Sequence, residues 1–151
     1  MRIIRAGKAE REQAFALVEE YNTAVNVLVR DSAESFARDY FDSGSGLWLA
    51  YVGARLAGCI ALRPLPARPH AGEIKRLYVR PEFRATGVSG ALLAVLELYA
   101  AASGYRQLFL DSKDDLKAAL RFYKRHGYEP CPRYNENAQA TVFLQKALAR
   151  G

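Results

Sequence analysis

The plainest chemistry in the chain sits in seven consecutive residues, Arg84, Ala85, Thr86, Gly87, Val88, Ser89 and Gly90. They follow "EIKRLYV" (73–79), which reads as a strand. Beyond them Val88, Ala91, Leu92, Val95, Leu96, Tyr99 and Ala102 recur as one helical stripe. The first turn of a helix has N–H groups without intrahelical acceptors and carries a partial positive charge. Where a strand feeds straight into such a turn, those donors point into the space past the strand and suit a phosphate. Gly87 and Gly90 let an anion approach the backbone, Thr86 and Ser89 offer hydroxyl donors, and Arg84 adds a fixed charge. The segment is expected to hold a pyrophosphate. It is not a P-loop, because GxxxxGK[ST] needs a lysine, and no early GxGxxG marks a dinucleotide fold.

Other chemistry-bearing residues are scattered. Cys59 and Cys131 form no CxxC, and His70 and His126 lie far apart, so no metal site is expected. The cysteines read as buried free thiols of a reducing compartment. The net charge of +6 suits an anionic partner or solubility alone, and no basic block of the kind used on nucleic acid appears. No apolar run reaches the roughly 18 residues of a membrane span, and "MRIIRAGKAEREQ" has no apolar signal core, so a cytoplasmic protein is expected.

The elements that would position the loop follow from periodicity. "RIIRA" is a first strand; Ala14, Leu17, Val18, Tyr21, Val25 and Leu28 then mark an amphipathic helix. "DSAE" (31–34) resembles a capping box for a short helix carrying Phe36, Tyr40 and Phe41. "LWLAYV" (47–52) and "RLAGCIAL" (55–62) flank Gly53-Ala54 as a hairpin, and "RPLPARPHAG" (63–72) is an exposed loop, a connector or a wall of a substrate site. After the long helix come a strand at 106–111, a helix at 116–127 ended by Gly127, and two terminal strands in "YEPC" and "ATVFLQKAL". The predicted order is β-α-α-β-β-β-α-β-α-β-β, an α/β (α+β) mixed sheet with helices packed on it.

"EIKRLYVRPEFRATGVSGALL", followed by "AALRFYKRHGYEP", closely resembles the GNAT superfamily of acyl-CoA-dependent N-acyltransferases over residues 46–146, most of all its small bacterial members. The resemblance implies a single domain over residues 1–151, with a mostly antiparallel twisted sheet of about six to seven strands and about four helices. It implies acetyl-CoA as cosubstrate, with its pyrophosphate on the amides from Ala85 to Gly90 beside Arg84. The pantetheine arm would pair with the backbone of Leu77, Tyr78 and Val79 in a V-shaped opening between two strands. A bulge late in that strand would aim an amide, with Val79 the candidate, at the thioester oxygen. Ala85 stands where the family often has Gly, and Ser89 where it has Gly or Ala.

The same resemblance makes Tyr123 the acid that protonates the leaving thiolate, although Tyr123 also falls on an apolar stripe and reads equally as core. Glu73 sits where some members carry the general base, and needs burial or a water relay to act; other members deprotonate through water, and Glu73 is then a solvated strand-end charge beside Lys75 and Arg76. Asp111 caps the next helix, orients the amine or lines the pantetheine channel, with capping slightly ahead and Ser112 competing for that role. Tyr134 and Asn135 are acceptor contacts or turn residues, and Tyr21, Tyr40 and Trp48 are core or acceptor wall. The expected activity is acetyl transfer to a small primary amine by direct transfer in a ternary complex, in a homodimer. The alternatives are a protein lysine or N-terminus as acceptor, or a non-catalytic acyl-CoA- or nucleic-acid-binding domain.

Overall fold

The computed structural model describes residues 1–28, 30, 32–42 and 44–149. Its elements follow the expected order: β1 (Arg2–Arg5), α1 (Arg11–Ala24), α2 (Ala33–Tyr40), β2 (Gly46–Val52), β3 (Arg55–Pro64), β4 (Ala71–Val79), α3 (Val88–Ala102), β5 (Gln107–Ser112), α4 (Lys117–Arg125), β6 (Glu129–Pro130) and β7 (Val142–Ala147). All seven strands form one sheet in the order β1-β2-β3-β4-β5-β7-β6.

Every neighbouring pair is antiparallel except β4 and β5. Parallel neighbours need a crossover, and α3 supplies it. The β4–β5 pairing covers only Ala71↔Gln107, Gly72↔Leu108 and Glu73↔Phe109. Past Glu73 the two strands part, and the rest of β4 has no partner on that side.

The sheet divides the core. On one face Trp48, Ile60, Leu62, Ile74, Leu108 and Leu110 meet Leu92, Leu93 and Leu96 of α3 and Tyr123 of α4. On the other Leu47, Leu49, Cys59, Ala61 and Tyr78 meet Ala14, Leu17 and Val18 of α1 and Phe36 and Tyr40 of α2. Alternation along the strands sends successive side chains to opposite faces, which is why both layers carry a helix pair.

Three expectations about elements change. The first helix ends at Ala24, because Asn26 turns left-handed at φ 58°; Leu28 is exposed, and buried Asn22 takes a place on the inner face instead. The box at the start of α2 is closed by Ser32 and Ser35, the Ser35 N–H donating to Ser32 Oγ; Asp31 of "DSAE" lies outside the described residues. Cys131 is only half-buried, while Cys59 is fully enclosed and donates to the Arg76 carbonyl at 3.2 Å.

Candidate active site

The junction between β4 and α3 forms where expected. A single 3-10 turn at Pro81–Phe83 leads from β4 to Arg84, and α3 begins at Val88 with Gly87 as its N-cap. No side chain caps this helix, and its first turn holds no acidic residue. Ala91 is the residue whose N–H closes back onto the Gly87 carbonyl, so the amides before it have no such bond along the helix. Ala85 and Gly87 are both left-handed, at φ 61° and 88°, which turns neighbouring amides toward a common concavity. A Cβ placed on Gly87 would meet nothing within 4 Å. The seat is open and donor-rich, with no acidic residue in the helix's first turn, and so suits a diphosphate.

Two of its expected donors are committed elsewhere. The Thr86 hydroxyl donates to the Phe83 carbonyl, so its one proton serves the turn itself. Arg84 Nε donates to the Val79 carbonyl at 3.1 Å, which pins the guanidinium beside the loop and occupies an acceptor that a pantetheine arm was expected to use.

The left-handed Ala85 explains the preference for glycine here: an L-residue pays roughly 1–2 kcal/mol in this region, and Gly returns roughly 0.4–1 kcal/mol of that through unfolded-state entropy. Ala85→Gly is therefore expected to raise stability by about 0.5–1 kcal/mol and the melting temperature by about 1–3 °C. Calorimetric melting checks this; a fall in melting temperature would mean that the loop is not strained at Ala85.

The β4 bulge lies upstream of its expected place. Cys59 pairs with Tyr78 and Ala61 with Lys75, so Ile60 faces two β4 residues, Arg76 and Leu77, and Arg76 is left-handed at φ 59°. Val79 itself pairs in register with Gly58.

Tyr123 from α4, Asp111 from β5 and Tyr21 from α1 lie near enough to feel one another's charge. The Tyr123 phenol is pushed well above its ordinary value, first by burial and then by Tyr21 and Asp111. Tyr21 is raised by burial, lowered by Arg76 and raised again by Asp111. Its ring lies 6.0 Å from that of Tyr78. Tyr40 and Trp48 are core residues, Trp48 packing edge-on against Tyr99.

Glu73 is not a solvated strand end. Its side chain is 1% exposed and pairs with Arg63 Nε at 3.0 Å and Lys75 Nζ at 3.7 Å through Oε1. Oε2 accepts from the Tyr134 hydroxyl at 2.7 Å and from Asn135 Nδ2 at 3.1 Å. The Tyr134 phenol is raised by burial first and then by Glu73, which keeps it a donor. Asp111 does not cap α4, whose N-cap is Leu116 without a side-chain bond. Its Oδ2 instead accepts from Asn135 and lies 3.8 Å from Lys75, and its side chain is 13% exposed. Tyr134 and Asn135 thus tie the β6–β7 segment onto both carboxylates. Nothing in the sequence links Glu73, Asp111 and the Tyr134–Asn135 pair; the shared parity of Glu73 and Lys75 places only those two side chains on one face of the strand.

Among the described residues no cluster of three or more His, Cys, Asp or Glu is placed to hold a metal ion, and no helix is long and apolar enough to cross a membrane.

A family model described as the acetyltransferase (GNAT) family matches residues 11–128. An uncharacterized N-acetyltransferase of Schizosaccharomyces pombe is 38% identical over 94 residues, which is 62% of this chain and 57% of that protein. The chain therefore spans little more than half the length of that relative. Among solved structures, a GNAT-family acetyltransferase of Staphylococcus aureus superposes with a TM-score of 0.83 at 18% identity, covering 98% of this chain and 99% of the other. The PaiA N-acetyltransferase of Thermoplasma acidophilum, solved in complex with coenzyme A, does so with a TM-score of 0.73 at 16% identity, covering 97% and 98%.

Proposed function

Since this chain belongs to the GNAT family of acetyltransferases, we propose that it transfers an acetyl group from acetyl-CoA directly to the primary amine of a small molecule, both substrates being held at once. The observation that carries this reading is the uncapped start of α3, with left-handed Ala85 and Gly87, placed at the end of a strand that parts from its parallel neighbour. The amides from Ala85 to Gly90 and the terminal nitrogens of Arg84, whose Nε is taken by the Val79 carbonyl, would hold the diphosphate, and the unpaired side of Leu77 and Tyr78 would receive the pantetheine amides. Acetyl-CoA supplies the activated acyl group.

The bulge at Arg76–Leu77 departs from regular pairing, so the Leu77 amide replaces Val79 as our candidate donor to the thioester oxygen. A fixed N–H there favours the charge that develops on that oxygen, an effect of roughly 3–4 kcal/mol in enzymes where such a donor has been removed. Tyr123, kept protonated by its surroundings, would give its proton to the departing sulfur. Of the two carboxylates, Asp111 is the more exposed and shows partners on one oxygen only, whereas both oxygens of Glu73 are taken by donors. We therefore assign removal of the ammonium proton to Asp111. Glu73 passes from expected base to the residue that positions Tyr134 and Asn135.

We take the acceptor to be a small amine that meets the open groove lined by Arg68, Arg133, Tyr134 and Asn135; a protein amine is the second reading, which so open a groove also admits. The test is to incubate the protein with acetyl-CoA and a library of primary amines while following free thiol. Amine-dependent release is expected; no release with any amine, at acetyl-CoA concentrations that saturate binding, overturns the assignment.

A further inference from the structure

The loop between β3 and β4 contains a cation whose placement the transfer chemistry does not require. Arg68 sits in a segment ordered by its own backbone: Leu65 N–H donates to the Ala71 carbonyl, Arg68 N–H to the Leu65 carbonyl, and Ala71 N–H to the Arg68 carbonyl. Its guanidinium lies 5.0 Å from the centre of the Phe109 ring, a buried residue of β5. Phe109 in turn packs against Tyr134 at 5.2 Å, the residue bonded to Glu73. The face of a buried aromatic fixes the plane of a guanidinium and leaves its N–H edge pointing outward.

Most cations near the site are matched to carboxylates: Arg63 to Glu73 and Asp39, Lys75 to Glu73 and Asp111, Arg80 to Glu20. Among the described residues Arg68 has no carboxylate within ion-pair distance. Arg133, on the other wall of the same cleft, donates to the carbonyls of Asn135, Asn137 and Ala140 and covers Phe143, so its charge also goes unmatched by an acid. Glu136 is the one acidic residue of the lining, which also includes Ala67 and the Tyr134–Asn135 pair. The cleft therefore carries net positive charge beside the carboxylate pair that faces the amine.

This charge does not serve the cofactor's diphosphate. Arg68 precedes the start of β4, and the diphosphate seat follows its end; nine residues of strand put them about 25–30 Å apart.

We infer that Arg68 binds an anionic group of the acceptor, so that the substrate is an amine also carrying a carboxylate, as a free amino acid does. The inference rests on the acetyltransferase reading above. The amine lies toward Asp111 and Tyr123, the carboxylate lies against the Arg68 edge, and Asn135 forms the wall between. A planar guanidinium takes a carboxylate through two parallel N–H bonds, which a carboxamide cannot accept in the same way.

The test separates the inference from the transfer reaction. N-acetyl amino acids and the matching N-acetyl amino amides are titrated into the protein saturated with coenzyme A. At least one acid is expected to bind tenfold or more tightly than its amide, and Arg68→Gln should bring the acid down to the level of the amide while Arg68→Lys restores part of the difference. Equal binding of every acid and amide, absence of acid binding, or a preference that survives Arg68→Gln overturns the inference, whatever the turnover. Thiol release from acetyl-CoA, measured separately on free amino acids and their amides, decides the acetyltransferase reading. An enzyme that acetylates amides as well as acids keeps that reading and loses this one.

Discussion

Gly87→Glu is expected to reduce acetyl-CoA affinity at least a hundredfold while leaving the protein folded. The side chain has room, since a Cβ at this position meets no atom within 4 Å. The left-handed backbone at φ 88° makes any side chain strained by about 1 kcal/mol. A carboxylate at the start of a helix returns part of that, roughly 0.3–1 kcal/mol, by favourable interaction with the dipole. The melting temperature should therefore move by no more than a few degrees. Binding is another matter, because the new carboxylate occupies the anion seat itself. A hydrogen bond from a main-chain amide to a charged group is worth about 1.5–3 kcal/mol, so loss of two such bonds alone exceeds a hundredfold. Gly87→Ala is the control, carrying the strain without the charge, and should cost less than tenfold. Calorimetric titration with acetyl-CoA reads both variants. Unchanged affinity in Gly87→Glu would place the cofactor elsewhere and remove the basis of the proposed function.

Tyr123→Phe should lower kcat by about a hundredfold, the lower range for loss of a general acid, with acetyl-CoA affinity nearly unchanged. The expected split follows from where the hydroxyl lies. It belongs to a buried residue of α4 that feels Tyr21 and Asp111, and it is not among the main-chain amides that would hold the diphosphate. Among the described residues its ring packs against Phe122 and Tyr128, and its hydroxyl makes no hydrogen bond to another side chain or to the backbone. Replacing it with Phe removes no internal bond, so stability should hold or rise slightly. The sign of the pH effect is fixed too. A phenol whose pKa is raised remains protonated, and able to donate, through neutral and mildly alkaline pH. A loss of rate on the alkaline side over that range therefore belongs to another group. Pre-steady-state and steady-state rates on an accepted amine check both points; wild-type turnover in Tyr123→Phe would take this residue out of the mechanism.

The pairing of Glu73 with Tyr134 and Asn135 is the reason our proposal gives the ammonium proton to the other carboxylate. The carboxylate that resembles the family's base is enclosed by four donors, and a lone pair already accepting a hydrogen bond is a poor receiver for an ammonium proton. Asp111, which sequence reading inclined to treat as a helix cap, has the more open carboxylate. The difference arises because β5 continues through Ser112 and α4 starts only at Lys117, too far along for Asp111 to reach its first turn.

The residues alone determined whatever depends on near neighbours. The order of strands and helices follows from periods of two and 3.6, and the break from β4 into α3 follows from Gly87 and the apolar stripe beyond it. Gly127, left-handed at φ 90°, ends α4 for the same local reason. What only the tertiary structure decided depends on register and on partners distant in the chain. Tyr134 and Asn135 reach Glu73 across 61 and 62 residues of sequence, and Asn135 reaches Asp111 across 24. The bulge at Arg76–Leu77 exists only as a mismatch between β4 and β3. The use of the Thr86 hydroxyl on Phe83 depends on one particular turn, and the placement of Arg68 over Phe109 depends on where a proline-rich loop crosses a strand. Side-chain type announces what a residue is able to donate or accept; which group it meets is set by the packing of elements that periodicity cannot see.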